Sequence, residues 1–390
     1  MNKKSKYDLT LFCVTLILVA LGLIMVFSAS NVIGREKFKS SFFFMQNHMI
    51  RVAIGLCCLF IFTRIPVWIY KKFSTMLLLA GIILLAALFV FGRNFRGGIR
   101  WLHIFWFVFQ PVEIAKFTLI IFIASQIAEK KKKIRDFKKG FLPLIGVVLL
   151  TALLVGLQPN LSNAILIVFL SFVLLFIGGC KLLHLFSLGG ALAAIAAPVL
   201  FSFPHVRERV TVFLNGGGDI QDAGYHINQS LISIGSGFVF GSGPGNGHQK
   251  YHFLPDPHTD FIYSIIGEEL GLIGTVTVLI FFFVILQRAV RIAKRSQNDF
   301  GYMLAIGIGV MIFSTALINI SMTLGLVPVA GLPLPFVSYG GTSLVISMSA
   351  IGILLNVSSN GIEPRTVKKR TGSGKRYKVY ARPRMQERRV

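Results

Sequence analysis

Apolar stretches of roughly 18 residues or more recur along the whole chain, separated by short segments rich in Lys, Arg, Gly and Pro. As helices, stretches of that length cross roughly 30 Å of hydrocarbon. The pattern predicts spans at about residues 9–29, 44–63, 73–92, 109–128, 141–157, 161–179, 183–203, 260–287, 301–325 and 340–357. An all-α polytopic membrane protein of about ten transmembrane helices follows, because in lipid only helices and closed barrels satisfy every backbone polar group. The first apolar run, reaching Ser28 after a basic start, is longer than the core of a secretion signal, and further spans follow it. It reads as a retained helix.

The polar residues orient these spans. Residues 130–139 read KKKKIRDFKK, the densest basic loop, and basic residues in short loops stay in the cytoplasm. Lys3, Lys4, Arg64, Lys71, Lys72, Lys181, the Arg288–Arg295 cluster and the tail from Arg365 to Arg389 join that loop on one side only if both termini are cytoplasmic. The formal charge of +25 is thereby accounted for by topology, without a nucleic-acid surface. Only 14% of residues are charged, 54% are hydrophobic, and the mean hydropathy is +0.72. Cys13, Cys57, Cys58 and Cys180 lie in apolar runs without metal-ligand spacing and read as small core residues. Residues 1–358 form the membrane domain. Residues 359–390 form a basic cytoplasmic tail without apolar period, expected to be disordered near anionic headgroups. No internal repeat supports an inverted-repeat transporter.

Two segments fall on the opposite, extracytoplasmic side. The loop from Phe91 to Phe105 carries Arg93, Arg96 and Arg100. Residues 204–259, between the seventh and eighth spans, form the longest stretch without a span. Aromatic and aliphatic residues throughout predict that it packs on the bundle.

Charge within a span costs about 2.5–3.5 kcal/mol at the helix centre, so such residues face the bundle interior or a wet cavity. Glu113 and Lys116, three apart after Pro111, share a helix face and can pair. If the eighth span starts near Asp260, then Asp260, Ser264 and Glu268 form one polar stripe. Asp260 could instead cap that helix, a role that Thr259 fills equally well. The glycine-rich run 235–247 lacks the GxxxxGK[ST] spacing of a phosphate loop and reads as tight turns. Gln249 and Lys250 follow it. The run from Gly331 to Ser343, containing Ser338 and Tyr339, reads as a re-entrant cavity wall.

Taken in order, these blocks resemble the SEDS family of bacterial cell-wall proteins (shape, elongation, division and sporulation). They are GIRWL at 98–102, QPVEIAK at 110–116, QPNL at 158–161, QSLISIGSG at 229–237, GNGHQK at 245–250, LPDPHTDFIY at 254–263, EELGLIG at 268–274, NI at 319–320 and LPLPFVSYGGTS at 332–343. The resemblance implies ten helices and a glycosyltransferase that polymerises lipid II outside the bacterial cytoplasmic membrane. It also implies a class B penicillin-binding protein as partner, and an essential aspartate matching Asp260. Inversion at the donor sugar needs one displacement, with a base for the attacking hydroxyl and cations for the departing diphosphate. Arg100, Arg207, Arg209, Lys250 and Lys116 are the candidate cations. Glu113, Gln229, Ser230, Gln249, His258, Thr259, Glu268, Ser338 and Tyr339 complete the candidate substrate-binding set. No cofactor is identified. A divalent cation would assist the diphosphate, but no ligand set for one is recognisable. GNGHQK and the basic tail look more like division or sporulation members than elongation members. The chain departs from the family pattern with Asn160, Phe238, Asp256 and Thr315 for the usual aspartate, glycine, glutamate and glutamine, and with Val112 where serine is common. The rival readings are a lipid II flippase and a non-enzymatic scaffold of the division machinery.

Overall fold

A helix stands at each of the ten expected positions in the computed structural model. It describes residues 7–95, 98–104, 107–201, 207, 211, 213, 223–251, 253–255, 257–360, 366–367 and 379–380. In chain order the helices are α1 (Leu9–Phe38), α2 (Phe43–Arg64), the short α3 (Val67–Lys72), α4 (Ser74–Phe91), α5 (Pro111–Lys130), α6 (Leu142–Gly156), α7 (Leu161–Ile177) and α8 (Leu182–Phe201). They continue with α9 (Ala223–Ser236), α10 (Ile262–Arg295), α11 (Asp299–Thr323) and α12 (Gly341–Asn360). Among the described residues, eight helical segments are long and apolar enough to cross a membrane, and α7 is a shorter apolar helix.

Length and burial separate the helices into layers. Helix α5 is buried nearly all round and forms the centre of the bundle, with α11 and α12 packed on it. The exposed apolar side chains of α2, α4 and α6 point outward, as lipid-facing surfaces must. Of the cysteines expected in the core, only Cys180 is buried, while Cys13 and Cys57 are exposed. The Cys180 thiol donates to the Ile134 carbonyl at 3.5 Å, and burial pushes its pKa up to about 11.

One end of the bundle collects the basic loops. Asp8, the N-cap of α1, accepts from Leu11 and forms a bidentate pair with Arg288 of α10, at 2.6–3.0 Å. The Asp8 amide donates to Ser358 of α12, and Asn356 donates to the Thr63 carbonyl of α2. Looser surface pairs, Lys71–Glu129 and Lys131–Asp299, lie near 4 Å. These bonds put α3, the 131–139 loop and the end of α10 on one face, as the charge pattern predicts.

Three features depart from the sequence reading. A three-stranded antiparallel sheet, β1 (Arg93–Phe95), β2 (Gly98–Ile104) and β3 (Phe107–Phe109), occupies the loop before α5. The segment before α10 contains α9, which packs on α10 as its apolar content predicts. And α10 is broken: Gly271 has φ 65° and ψ −162° within it. Of the tail, residues from 361 lie outside the description apart from Thr366–Val367, which pairs with Val379–Tyr380. Its expected disorder is therefore outside the described residues.

The break is filled by the glycine-rich loop. In a continuous helix Leu272 and Ile273 would donate to the carbonyls of Glu268 and Glu269. Here they donate to Phe238 and Val239, at 2.9 and 3.3 Å, and the two freed carbonyls accept from Ser242 and Gly243, at 2.9 and 3.1 Å. The loop is thus spliced into the helix, and these four groups stay bonded at a depth where water is scarce. Phe238 takes φ 45°, the left-handed backbone that glycine adopts freely, which gives a reason for glycine at this position in the resembling family.

Close approach sets the glycines. A Cβ on Gly271 would stand 2.5 Å from both Gly241 N and Val239 O. Gly271→Ala is therefore expected to destabilise the purified protein by about 2–3 kcal/mol, as strain at a glycine-only conformation costs. Gly146→Ala, where a Cβ meets nothing within 4 Å, is expected to leave the thermal midpoint unchanged or slightly raised. Parallel melting curves in one detergent decide this; equal midpoints for both variants refute the splice as a structural constraint.

Candidate functional site

The spliced loop is anchored from beneath by two buried carboxylates. Glu268 accepts from the amides of His248 (2.5 Å) and Gln249 (3.2 Å) and, at 3.4 Å, from the Ser233 hydroxyl of α9. Glu269 accepts from Gly245 N at 2.9 Å, from Ser28 Oγ of α1 at 2.6 Å and from Lys250 Nζ at 2.9 Å. Lys250 also donates to Ser28 at 3.2 Å and to the Gly245 carbonyl. Lys250 and Glu269 are 1% and 0% exposed at the side chain, so this cation is held inside the protein. A Cβ on Gly247 would lie about 3 Å from both carboxylates, so the residue there must be small.

Asp260 lies eight residues before Glu268, just ahead of α10. Helix α10 begins at Ile262 with Phe261 as its N-cap, so Asp260 neither caps it nor heads a helical stripe; Ser264 and Glu268 lie on the helix proper. Ser264 pairs with Ser230 of α9 at 2.6 Å, and Ser230 also bonds the Thr323 carbonyl at 2.6 Å. Asp260 is half-buried. Its backbone is fixed by Asn319 of α11, whose amide donates to the carbonyls of Asp260 (2.8 Å) and Leu332 (2.7 Å). A Cβ on Gly331, which takes φ 60°, would lie 3.8 Å from Asp260 Oδ2. One buried amide thus ties the aspartate turn to the proline-glycine segment before α12.

That segment meets α2. Tyr339 N donates to the His258 carbonyl at 2.9 Å, and Ser338 Oγ accepts from Leu334 N at 2.8 Å. The Tyr339 ring packs against Phe44, His48 and His258, with centroids 5.4–5.8 Å apart. The Arg51 guanidinium lies 4.2 Å from the Tyr339 ring centroid, close enough for a cation–π contact. Burial raises the Tyr339 hydroxyl above its ordinary pKa, and Arg51 offsets part of the rise. His48 is fully buried, with neither ring nitrogen hydrogen-bonded. Phe44, His48 and Arg51 were missed by the sequence reading. The one signal was an arginine near the outer end of a span, where charge is costly.

The remaining candidates are dispersed. Glu113 and Lys116 form the expected i,i+3 pair at 2.8 Å, almost wholly buried in α5. Arg100 donates to the Pro159 carbonyl and ties the sheet to the α6–α7 turn. In that turn Asn160 accepts from Asn163 at 3.0 Å. Gln249 presents its amide to Glu268; Gln229 and Thr259 are half-buried. Arg207 is exposed and its carbonyl accepts from Thr211. Thr315 bonds the Met311 carbonyl of its own helix, and Val112 is buried. Arg209, Arg96 and Asp256 lie outside the described residues. Among the described residues no group of three or more His, Cys, Asp or Glu side chains is placed to hold a metal.

The fold and site define a polytopic helical membrane protein whose carboxylate-bearing turn lies at the end opposite its basic loops. The FtsW/RodA/SpoVE family model, described as cell cycle protein, matches residues 8–362. The chain belongs to that family. It is 38% identical over 359 residues to stage V sporulation protein E of Bacillus subtilis (strain 168), covering 92% of this chain and 98% of that protein. It is 34% identical over 361 residues to a probable peptidoglycan glycosyltransferase FtsW of Geobacter sp. (strain M18), with the same two coverages. Among solved structures it is similar to a chain from work on structural coordination of polymerization and crosslinking by a peptidoglycan synthase complex. That match has TM-score 0.77, 26% identity, 92% coverage of this chain and 99% of that one. The rod shape determining protein RodA of Thermus thermophilus shares the fold, with TM-score 0.67, 24% identity, and coverages of 92% and 98%.

Removing one partner of a buried pair leaves a charge that the interior cannot solvate. Glu269→Gln is expected to cost about 3–5 kcal/mol, and the double variant Glu269→Gln/Lys250→Met to recover part of it. Thermal stability across the double-mutant cycle reads the coupling. Additive losses refute an internal ion pair.

Proposed function

We propose that the chain is an inverting peptidoglycan glycosyltransferase that polymerises lipid II on the outer face of the bacterial cytoplasmic membrane, in division or sporulation. The observation that carries this reading is the setting of Asp260. It is a half-buried carboxylate fixed through its backbone by Asn319, beside the Gly331–Tyr339 wall, at the end of the bundle away from the basic loops. The positive-inside rule puts that end outside.

In the reaction a sugar hydroxyl of one lipid-linked substrate attacks the anomeric carbon of the other. The new C–O bond forms as the bond to the diphosphate breaks, and that electron pair leaves on the lipid diphosphate. Asp260 takes the hydroxyl proton, a role worth roughly 10²–10⁴ in rate. The diphosphate needs a cation with charge to spare. Lys250 and Lys116 are already matched to Glu269 and Glu113. Arg51, stacked on Tyr339 beside His258, offers a planar fork suited to phosphate oxygens. A class B penicillin-binding protein is the expected partner, since the structural relative comes from a complex that couples polymerization to crosslinking.

With purified protein, its transpeptidase partner and lipid II in detergent, Asp260→Asn is expected to lower glycan synthesis about 10²–10⁴-fold at an unchanged melting temperature. Arg51→Gln is expected to lower it about 10²-fold. Wild-type rates in Asp260→Asn refute the assigned base. A wild type that makes no glycan while its proteoliposomes translocate lipid II would favour the flippase reading. Healthy cells carrying Asp260→Asn would favour a scaffold.

A further inference from the structure

A second polar feature lies at the other end of the molecule, where α2 gives way to α3. Ile65 leaves the helix with extended backbone, and Pro66 starts α3 at a new angle. The bend leaves a shallow groove, open along most of its length and of about 670 Å³, lined by Phe60, Ile61, Arg64, Ile65, Pro66 and Ile69. Its walls are almost entirely apolar, and Arg64 is the one charged group among them. The cleft is held open from behind. Val67 and Tyr70 are buried against the bundle, the Tyr70 hydroxyl donates to the Phe62 carbonyl at 3.3 Å, and its ring stacks on Phe62.

The outward face of α3 reads as an interface. Trp68 is 61% exposed beside the cleft, the position tryptophan favours where hydrocarbon meets headgroup. Lys71 and Lys72 follow directly. Among the described residues the carboxylate paired with them is Glu129, 3.9 Å from Lys71 and itself half-exposed, so positive charge is in excess there. Lys72 sits 5.4 Å from the Phe73 ring centroid. An apolar groove with a guanidinium in its wall, and the exposed Lys72 at the end of the adjoining α3, is complementary to an anion that carries an acyl chain. Inorganic phosphate would satisfy Arg64 but leave the trough unfilled.

We propose that this cleft binds an anionic phospholipid of the cytoplasmic leaflet. One acyl chain lies along Phe60, Ile61, Ile65 and Ile69, and the headgroup phosphate meets Arg64 and Lys72. The site is remote from Asp260 and does not depend on the glycosyltransferase reading.

The test is native mass spectrometry of the full-length protein in mild detergent, titrated with phosphatidylglycerol or with phosphatidylcholine. Wild type is expected to retain phosphatidylglycerol in preference. Arg64→Gln/Lys72→Gln is expected to weaken that retention at least about tenfold, the loss of one charge-assisted phosphate contact. Ile65→Trp, which fills the trough and keeps both charges, is expected to do the same. Arg291→Gln, an exposed basic residue on the same face, is expected to leave retention unchanged. The site is refuted by equal retention of the two lipids, by wild-type retention in either cleft variant, by an equal loss in Arg291→Gln, or by competition from inorganic phosphate.

Discussion

A backbone amide or carbonyl that cannot reach water must be bonded within the protein, and the break at Gly271 is where this chain meets that demand most sharply. Two helical bonds are exchanged for four bonds to an inserted loop. The exchange needs the loop to approach as closely as another strand would, so Gly237, Gly241 and Gly271 have no room for a side chain. It also commits Glu268 and Glu269, which end the first half of the helix, to the loop that follows the splice. Their carboxylates gather the amides of Gly245, His248 and Gln249, while Lys250 closes the network against Ser28 of the first helix. The chain runs from this anchored loop directly into the turn that carries His258 and Asp260. The position of the aspartate is therefore inherited from a backbone constraint deeper in the bundle.

The same logic divides the charged residues into two kinds. Glu113 with Lys116, Glu269 with Lys250, and Asp8 with Arg288 are matched, mostly buried pairs. Replacing such a pair by apolar groups is often tolerable, whereas removing one member is not. Their contribution is to specify geometry, and their charge is spent. Arg51 is of another kind. It is half-buried and lies over the Tyr339 ring, which packs against His258. The matched pairs act as framework, and on the proposed reading Arg51 is the cation that meets the diphosphate.

Much of this was readable in advance. Helices at the ten expected positions could be placed because length and hydropathy are local properties, and basic loops gather at one end of the bundle because the positive-inside bias is local too. The Glu113–Lys116 pair was legible for the same reason, since helical spacing alone decides it. The break in α10 was not. Gly271 in EELGLIG looks like any tolerated glycine until a distant loop is seen to occupy its place. Lys250 looked like an open cation because its partner lies 19 residues onward and becomes adjacent only through the splice. The aromatic and basic contribution of α2 was hidden because Phe44, His48 and Arg51 sit 200 or more residues from His258 in sequence. The sheet before α5 was obscured by its setting among long helices.

The broken helix also limits where motion can occur. Its basic end is fixed by the bidentate Asp8–Arg288 pair. Near its other end Asn319 bonds the carbonyls of Asp260 and Leu332 at once. At the break itself the exchanged backbone groups are bonded and both carboxylates are engaged. A break with its groups open would make a hinge; one filled in this way is a joint already set. On the proposed reading, substrate entry and release fall to parts held by fewer bonds, such as the exposed faces of α9 and the rim of the Gly331–Tyr339 segment. On the proposed reading Asp260, the base, stays still while lipid-linked sugars move past it, as positional catalysis requires.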